Sequence, residues 1–328
     1  MNATDTDTGT DTDTGTDTDT GTDRDTGAAS VRVGRRTVRL HRPEKVLFPD
    51  DGLTKADVLD YYRRVAASMV PQLRGRPLML ERLPEGLGGP QFMQKDTPGH
   101  YPDWIRRAEV AKEGGTVTHT VCEDKATLLF LADQACLTFH RWLSRAERPL
   151  HPDRLVFDLD PPGPDFAAVR EAARRLCALL DELGLPAALM TTGSKGLHVI
   201  VALDGKSDVD TVRGFAQDVT QVLAERHPDR LTTAVRKKSR GDRLYLDVQR
   251  NAYAQTAVAP WSLRPKPGAP VATPIGRDQL DERGLTPQRW SLRDVAGVLE
   301  QAAARPWSGV PARGRSLRTA RRRLDALR

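Results

Sequence analysis

The chain has few cysteines and no long apolar run, and each shortage excludes a class of protein. Its cysteines, Cys122, Cys136 and Cys177, are widely spaced and odd in number, so they form neither a disulfide framework nor a CxxC zinc motif. No stretch of about 18 apolar residues is present, so we expect no membrane-spanning segment. The N-terminus also lacks the apolar core of a signal peptide. These absences predict a cytoplasmic protein with reduced, buried cysteines.

Charge is distributed unevenly along the 328 residues. Residues 1–28 hold eight Asp and one Arg, a net charge of −7, and 23 of the 28 are Thr, Asp or Gly. Such a segment buries almost no apolar surface, so we expect a disordered acidic tail. The other 300 residues carry 49 basic and 36 acidic side chains, a net charge of +13. A body this basic favours a polyanionic partner, although a merely soluble basic protein fits the charge equally well.

Apolar periodicity predicts an α/β body over residues 29–312, followed by an arginine-rich basic tail over 313–328. An alternating segment at 31–40 is typical of a strand or hairpin. Thr54 and Asp57 predict the start of a helix, and a second helix is expected over 126–142. From residue 150 the pattern reads strand, helix, strand, helix, strand, and a last helix is expected within 291–304. The strands are predicted at 154–159, 197–201 and 243–249, and the helices from 165 and over 208–226.

Three aspartates at the ends of predicted strands form the first candidate site. In LVFDLDPP at 155–162, Asp158 and Asp160 stand two residues apart, so both side chains leave the same face of the strand. Carboxylates this close repel each other unless a cation lies between them, and their oxygens suit Mg²⁺ or Mn²⁺. Asp247, in RLYLDVQ at 243–249, adds a carboxylate from a second strand, and three such ligands can hold two metal ions for displacement at phosphorus. The alternatives are a solvated turn for the first pair and a surface position for Asp247.

A glycine-rich turn, TTGSKGLH at 191–198, lies between the two acidic strands. Its two glycines allow the backbone to approach a ligand, and successive N–H groups can hold phosphate oxygens. The chain has no GxxxxGK[ST] motif, so this is not a Walker A loop. The position between two acidic strands favours a phosphate site over a purely structural turn.

Seven segments together resemble the polymerase domain of bacterial DNA ligase D, a member of the archaeo-eukaryotic primase superfamily that serves non-homologous end joining. The resemblance implies a primase–polymerase fold of the α/β (α+β) class, in which an RRM-like sheet carries the three aspartates and packs against an N-terminal α/β subdomain. The segments follow the family's order and spacing over residues 38–305: PEKVLFP at 43–49, GLTK at 52–55, PDWIRR at 102–107, WLSR at 142–145, FDLDPP at 157–162, TGSKGLH at 192–198 and APWSLR at 259–264.

The resemblance also implies roles for single residues. Asp158, Asp160 and Asp247 would be catalytic and would bind two Mn²⁺ or Mg²⁺ ions. The incoming NTP or dNTP would be held by eight residues: His140, Thr192, Ser194, Lys195, Gly196, His198, Arg240 and Arg264. DNA would be bound by four residues, of which the first two match lysines at the 5′-phosphate of a gapped or recessed end and the others match template-facing positions: Lys45, Lys55, Arg82 and Phe92.

Two positions depart from the family pattern on the template side. Met93 stands where the family often has a second aromatic residue, which predicts weaker stacking on a base beside Phe92. Glu81 precedes Arg82 where some members have lysine, which removes a positive charge from the template-facing loop.

The resemblance therefore implies template-directed addition of nucleotides to a primer 3′-OH at gaps and broken ends. No KxDG motif occurs, so the adenylated lysine of a ligase is absent, and we expect a stand-alone polymerase associated with the nucleoid, or the polymerase portion of a longer protein. Sealing and end bridging would then need a separate ATP-dependent DNA ligase and a Ku-type end-binding protein. Two alternatives stay open: a non-catalytic module that binds 5′-phosphorylated DNA ends, and a primase that starts strands de novo.

Overall fold

In the computed structural model, which describes residues 29–311 and 314–327, strands and helices of mixed order follow one another along the chain. The α-helices are α1 (Lys55–Leu73), α2 (Lys125–Asp133), α3 (Phe166–Glu182), α4 (Val209–Arg226), α5 (Val295–Ala303) and α6 (Leu317–Asp325). The strands are β1 (Ala29–Val33), β2 (Arg36–Leu40), β3 (Val46–Phe48), β4 (Leu53–Thr54), β5 (Leu78–Arg82), β6 (Phe92–Gln94), β7 (Arg107–Lys112), β8 (Gly115–Thr120), β9 (Cys136–Trp142), β10 (Arg154–Asp160), β11 (Ala187–Thr191), β12 (Leu197–Ala202), β13 (Leu231–Thr232), β14 (Leu244–Asp247), β15 (Thr256–Val258) and β16 (Thr273–Ile275). The predicted acidic tail over 1–28 lies outside the described residues.

Six strands form the larger sheet, in the order β13-β14-β10-β12-β11-β16. Neighbouring strands are antiparallel except β13 and β14, which are parallel. On β10, Phe157 and Leu159 are fully buried beneath α3 and α4. Because side chains alternate along a strand, Val156, Asp158 and Asp160 point to the opposite face. One face of this sheet therefore packs against helices, and the other carries both buried apolar residues such as Val156 and the polar groups of β10.

The helices that cover the larger sheet each begin at a capping aspartate. Asp165 accepts hydrogen bonds from the N–H groups of Ala167 and Ala168, and Asp208 accepts one from the N–H group of Thr211. Such caps satisfy the free N–H groups of the first helical turn. Both helix starts agree with the sequence prediction.

A smaller antiparallel sheet, in the order β15-β9-β5-β6, packs against α1 and the larger sheet. On its α1 side, Tyr62 meets Phe139 edge to face, with ring centroids 5.2 Å apart. On its other side, Val258 of β15 belongs to an apolar cluster with Val156 and Met190 of the larger sheet. The two sheets thus meet through apolar contacts on the face of β10 that also carries Asp158 and Asp160. The predicted α+β architecture is confirmed.

The single helix predicted over 126–142 is wrong. Residues of α2 occupy only the first part of that segment, and β9 occupies the rest. Asp124 caps α2, and the turn after it contains Ala135 at a φ of 56°. Beyond this turn, β-branched and aromatic residues such as Thr138 and Phe139 favour an extended chain. The consequence for the site is that His140 lies on a strand and not at a helix end.

The basic tail predicted over 313–328 is also corrected, because this segment contains α6, which packs on α4. Leu317, Ala320 and Leu324 are buried on one face of α6, at helical spacing. On the other face Arg321 pairs with Asp218 at 2.5 Å. The segment is rich in arginine, but its few apolar residues lie on one face of α6 and pack against the rest of the protein.

Two predictions drawn from absences are tested directly. The three cysteines are buried and free, as expected. Among the described residues, no helix combines the length and the apolar character needed to cross a membrane.

A buried arginine links the two halves of the structure. Arg76, between α1 and β5, is 1% exposed and lies 2.5 Å from Asp153, which precedes β10. Its guanidinium also donates to the Trp142 carbonyl at 3.2 Å. Burial lowers the pKa of Arg76 to about 10 against the attraction of Asp153, so the side chain stays charged at neutral pH.

Replacing Arg76 by methionine is expected to lower the free energy of unfolding by about 3 kcal/mol, since a half-broken buried ion pair leaves a carboxylate short of partners. Urea denaturation would measure the change, with the exposed Arg32→Met as the matched control. A change within about 0.5 kcal/mol, the range of ordinary surface substitutions, would show that Arg145, 3.1 Å from Asp153, compensates fully.

Candidate active site

The three predicted catalytic aspartates lie on one face of the larger sheet. Asp158 on β10 stands directly opposite Asp247 on β14 and, on its other side, opposite His198 on β12. Directly opposite residues of antiparallel strands point to the same face, and Asp160, two residues along β10, shares that face. All four side chains line a cavity of about 240 Å³. Residues from three separate segments thus converge on one site.

The same cavity collects most of the predicted nucleotide-binding residues. Arg240 does not line it but reaches Asp160 from the edge, at 3.3 Å. Two further lining residues, Arg250 and Val258, are absent from the sequence prediction; the proximity of Arg250 to Asp247 in the sequence is the only indication that could have found it. The predicted residues that line the cavity with the aspartates are His140, Thr192, Ser194, Lys195, Gly196, His198 and Arg264.

Asp158 lies close to two basic side chains. His198 Nε2 lies 3.5 Å from its Oδ1, and Arg250 Nε lies 3.4 Å from its Oδ2. Burial raises the pKa of Asp158, but the attraction of His198 and Arg250 together outweighs it and brings the pKa below its ordinary value. Asp158 is therefore a carboxylate at neutral pH.

The other two carboxylates have partners of different kinds. The side chain of Asp160 is 49% exposed and faces Arg240, whose guanidinium stacks 3.8 Å above the Tyr245 ring. Asp247 accepts a hydrogen bond from the backbone N–H of Gln249 at 2.7 Å. Asp247 is thus held in place by the backbone, while Asp160 is half-exposed and paired with Arg240 at the edge of the site.

The carboxylates do not form a closed metal site as they stand. Within residues 29–311 and 314–327, no three carboxylate, imidazole or thiol side chains are close enough to hold a metal ion. The donor set nevertheless fits a hard divalent cation, because it consists of carboxylate oxygens on one face without thiolates. The arginine contacts of Asp158 and Asp160, at 3.4 and 3.3 Å, are longer than the charge-assisted norm of about 2.7–2.9 Å. A divalent cation would displace weak contacts.

The glycine-rich turn is closed by its own threonine. The Thr192 hydroxyl accepts from the N–H groups of Ser194 and Gly196, at 3.2 and 3.3 Å, and donates to the Gly196 carbonyl at 3.1 Å. Thr192 is 7% exposed. These contacts give Thr192 a role in shaping the turn, and they use two of the N–H groups that the sequence offers to phosphate. Lys195, exposed at the tip, adds a positive charge to the turn.

Two positions of this turn require glycine, one for its backbone conformation and the other because a neighbouring strand lies very close. Gly193 has a φ of 63°, in the left-handed region that favours glycine. A Cβ atom on Gly196 would lie 2.2 Å from the Leu159 carbonyl oxygen, between the two aspartates of β10. The turn therefore packs directly against the backbone of β10.

His140 enters the cavity from the smaller sheet. Its Nε2 lies 3.3 Å from Oε2 of Glu81, a carboxylate with a side chain only 8% exposed. Arg264 lies nearby, and its attraction helps to lower the pKa of Glu81. Burial lowers the pKa of the Arg264 guanidinium in turn, with Glu81 and Asp158 opposing the shift. Sequence reasoning assigns Glu81 to the template side and misses this contact.

The predicted 5′-phosphate lysines lie together, outside the cavity. The Lys55 N–H donates to the Lys45 carbonyl at 2.8 Å. Lys45 Nζ lies 2.7 Å from Glu85, whereas Lys55 is 6% exposed and its Nζ lies 2.8 Å from the buried Asp133. Lys45 is thus the more accessible ammonium group, and Lys55 is tied into the protein.

The predicted template residues lie at the edge of the smaller sheet. Arg82 donates to Gln94 at 2.6 Å and to the Gln134 carbonyl at 2.8 Å, so its guanidinium braces β6. Phe92 and Met93 on β6 are 54% and 47% exposed. They present adjacent apolar side chains to solvent.

Comparisons with known proteins agree with this architecture. The profile of the family described as "LigD, primase-polymerase domain" matches residues 54–307. Multifunctional non-homologous end joining protein LigD of Mycolicibacterium smegmatis is 35% identical over 251 residues, 76% of this chain and 33% of the relative. The Pseudomonas aeruginosa protein of the same name is 31% identical over 298 residues, 90% of this chain and 35% of the relative. The chain thus spans about a third of these curated relatives.

A solved structure is similar over most of the chain. The polymerase domain from Mycobacterium tuberculosis ligase D, in complex with DNA, superposes with a TM-score of 0.76 at 33% sequence identity. The match covers 82% of this chain and 95% of that one. The family match over residues 54–307 contains every strand of both sheets.

Proposed function

Because the chain belongs to the LigD primase–polymerase domain family, nucleotidyltransferases of the archaeo-eukaryotic primase superfamily, we propose that it adds nucleotides to the 3′-OH of a DNA primer under the direction of a template. The observation that carries this proposal is the row of Asp247, Asp158 and His198 across three neighbouring strands. We place this addition at gaps and broken ends, and the names of the relatives indicate non-homologous end joining as the setting.

The cavity supplies the groups that such a reaction needs. Asp158, Asp160 and Asp247 would hold two divalent cations, Mn²⁺ or Mg²⁺, which when bound favour ionisation of the 3′-OH and neutralise the leaving pyrophosphate. Lys195 and Arg264 add positive charge for the triphosphate. The chain's own contribution is to fix the reactants in one geometry, which converts a collision into an effectively unimolecular step.

The DNA would lie across the surface that carries Lys45 and the exposed pair Phe92 and Met93. A lysine contact to a 5′-phosphate fixes register on the DNA without reading its sequence. Exposed apolar side chains stack on bases in the same sequence-tolerant way. Lys55 and Arg82, both tied to the protein, would position these groups.

A second candidate is a non-catalytic module that recognises 5′-phosphorylated DNA ends. The arginine partners of Asp158 and Asp160 favour it, because they already offset the charge of these carboxylates. Extension of a 5′-phosphorylated gapped duplex, with Mn²⁺ and the four NTPs or dNTPs, separates the two. A primer that stays unextended while the DNA is bound would overturn the polymerase proposal. A Ku-type protein and an ATP-dependent ligase complete the proposed set of partners.

Replacing Lys45 by glutamine is expected to weaken the preference for a 5′-phosphorylated over a 5′-hydroxyl end by about fivefold, since one charged contact contributes about 1 kcal/mol. Fluorescence anisotropy with both DNAs at low salt would measure the two affinities. Lys206→Gln, an exposed lysine beyond the far end of β12, is the matched control. An unchanged preference in Lys45→Gln would place the 5′-phosphate elsewhere.

A further inference from the structure

The wall of the cavity formed by the smaller sheet differs in chemistry from the wall with the aspartates. His140 on β9 is directly opposite Val258 on β15, and both line the cavity. On the neighbouring strand β5, Glu81 is directly opposite Thr138 and so points to the same face as His140. This wall offers one imidazole and one branched apolar side chain, with a buried carboxylate behind the imidazole.

The contact with Glu81 decides which nitrogen of His140 carries the proton. Burial lowers the pKa of His140, partly opposed by Glu81, so the ring is neutral at neutral pH. Burial raises the pKa of Glu81, but the contacts from His140 and Thr138 outweigh it and bring the pKa below its ordinary value. A carboxylate only accepts hydrogen bonds, so the proton of the neutral ring lies on Nε2, 3.3 Å from Glu81. Nδ1 is left with a lone pair.

A neutral nitrogen with a lone pair is the wrong group for a phosphate. Phosphate oxygens are acceptors themselves, so they need donors such as Lys195 and Arg264. An acceptor nitrogen beside an apolar side chain suits a ligand that donates a hydrogen bond and also presents C–H groups, as the sugar of a nucleotide does with its hydroxyls and ring C–H groups.

Resting on the proposed function, we propose that Glu81 is a positioning residue that fixes the tautomer of His140, so that Nδ1 accepts a hydrogen bond from a sugar hydroxyl of the bound nucleotide. The pair thereby discriminates between nucleotides by their sugar. Gln91, whose side-chain amide donates to the other oxygen of Glu81, holds the carboxylate in the required orientation.

Equilibrium binding tests this without requiring turnover. Calorimetric titration of the full chain with ATP, 2′-deoxyATP and 3′-deoxyATP compares ligands that differ by one hydroxyl. We expect one of the two deoxy analogues to bind about tenfold more weakly than ATP, which is the loss expected for one hydrogen bond. The analogue that loses affinity identifies the hydroxyl.

Substitutions of Glu81 and His140 test whether this pair causes the preference for ATP over the deoxy analogue. Glu81→Met, which cannot accept a hydrogen bond, is expected to reduce the tenfold preference to about twofold or less, whereas Glu81→Gln keeps an amide oxygen and the preference. In a His140→Ala background, Glu81→Met should change nothing further. Glu171→Gln on α3 is the matched control for the substitution itself.

The binding results for the Glu81–His140 pair can be distinguished from the primer-extension results that test the proposed function. A wild-type chain that binds ATP and both deoxy analogues equally overturns the inference, even if Glu81→Met fails to fold. A preference that survives in a folded Glu81→Met overturns it as well. A chain that shows the preference but never extends a primer refutes only the polymerase proposal.

Discussion

Asp158→Asn is expected to reduce the rate of nucleotide addition by at least about 10³-fold while leaving the fold and the binding of DNA ends intact. The substitution keeps the size of the side chain and removes the charge at the centre of the row formed with Asp247 and His198. A carboxylate that holds a catalytic cation contributes several kcal/mol to the transition state, and each 1.4 kcal/mol or so is a factor of ten in rate. Primer extension under single-turnover conditions would measure the loss.

The matched control is Asp242→Asn, an exposed aspartate that precedes β14. It removes the same charge within a few residues of the site, so a general electrostatic effect on DNA binding would appear in both variants. Asp242→Asn should extend the primer at the wild-type rate. If Asp158→Asn also extends it within about tenfold of wild type, Asp158 does not hold a catalytic cation and the aspartate row is not the site of nucleotide addition.

Local patterns along the chain were sufficient to predict the part of the site that lies on β10. The apolar run before Asp158 and the spacing to Asp160 predict a buried strand with two carboxylates on one face, and the structure has this arrangement. The same reasoning finds the caps of α1 and α3, because capping depends on residues only three positions apart. Family resemblance extends these patterns to Asp247, which is distant in sequence.

Contacts between distant segments could not be predicted in this way. The segment 126–142 is apolar throughout, and short apolar runs are ambiguous between helix and strand until their neighbours are known. Glu81 meets His140 only because β5 and β9 pair, and Arg250 meets Asp158 only because a turn follows β14. The Thr192 hydroxyl could donate to a phosphate, yet it donates to the Gly196 carbonyl within its own turn. The first two differences arise from pairing between distant segments, whereas that of Thr192 arises from hydrogen bonds within its own turn.

Gly196→Ala is expected to lower the free energy of unfolding by about 3 kcal/mol and to weaken nucleotide binding by at least about tenfold. The added Cβ would lie 2.2 Å from the Leu159 carbonyl oxygen, far inside van der Waals contact. Both atoms belong to backbone segments, so the clash is relieved only if the turn and β10 move apart. Leu159 lies between Asp158 and Asp160, so that movement is transmitted to the carboxylates as well as to Lys195.

Gly214→Ala supplies the opposite case within the same chain. Gly214 lies inside α4, and a Cβ there would meet no atom within 4 Å. The substitution should therefore raise the free energy of unfolding by about 0.5–1 kcal/mol, as expected for glycine to alanine within a helix, with nucleotide binding unchanged. Urea denaturation and calorimetric titration of both variants would compare the two positions. Wild-type stability and wild-type nucleotide affinity in Gly196→Ala would mean that the turn does not press on the acidic strand, and that it does not help to place the aspartates.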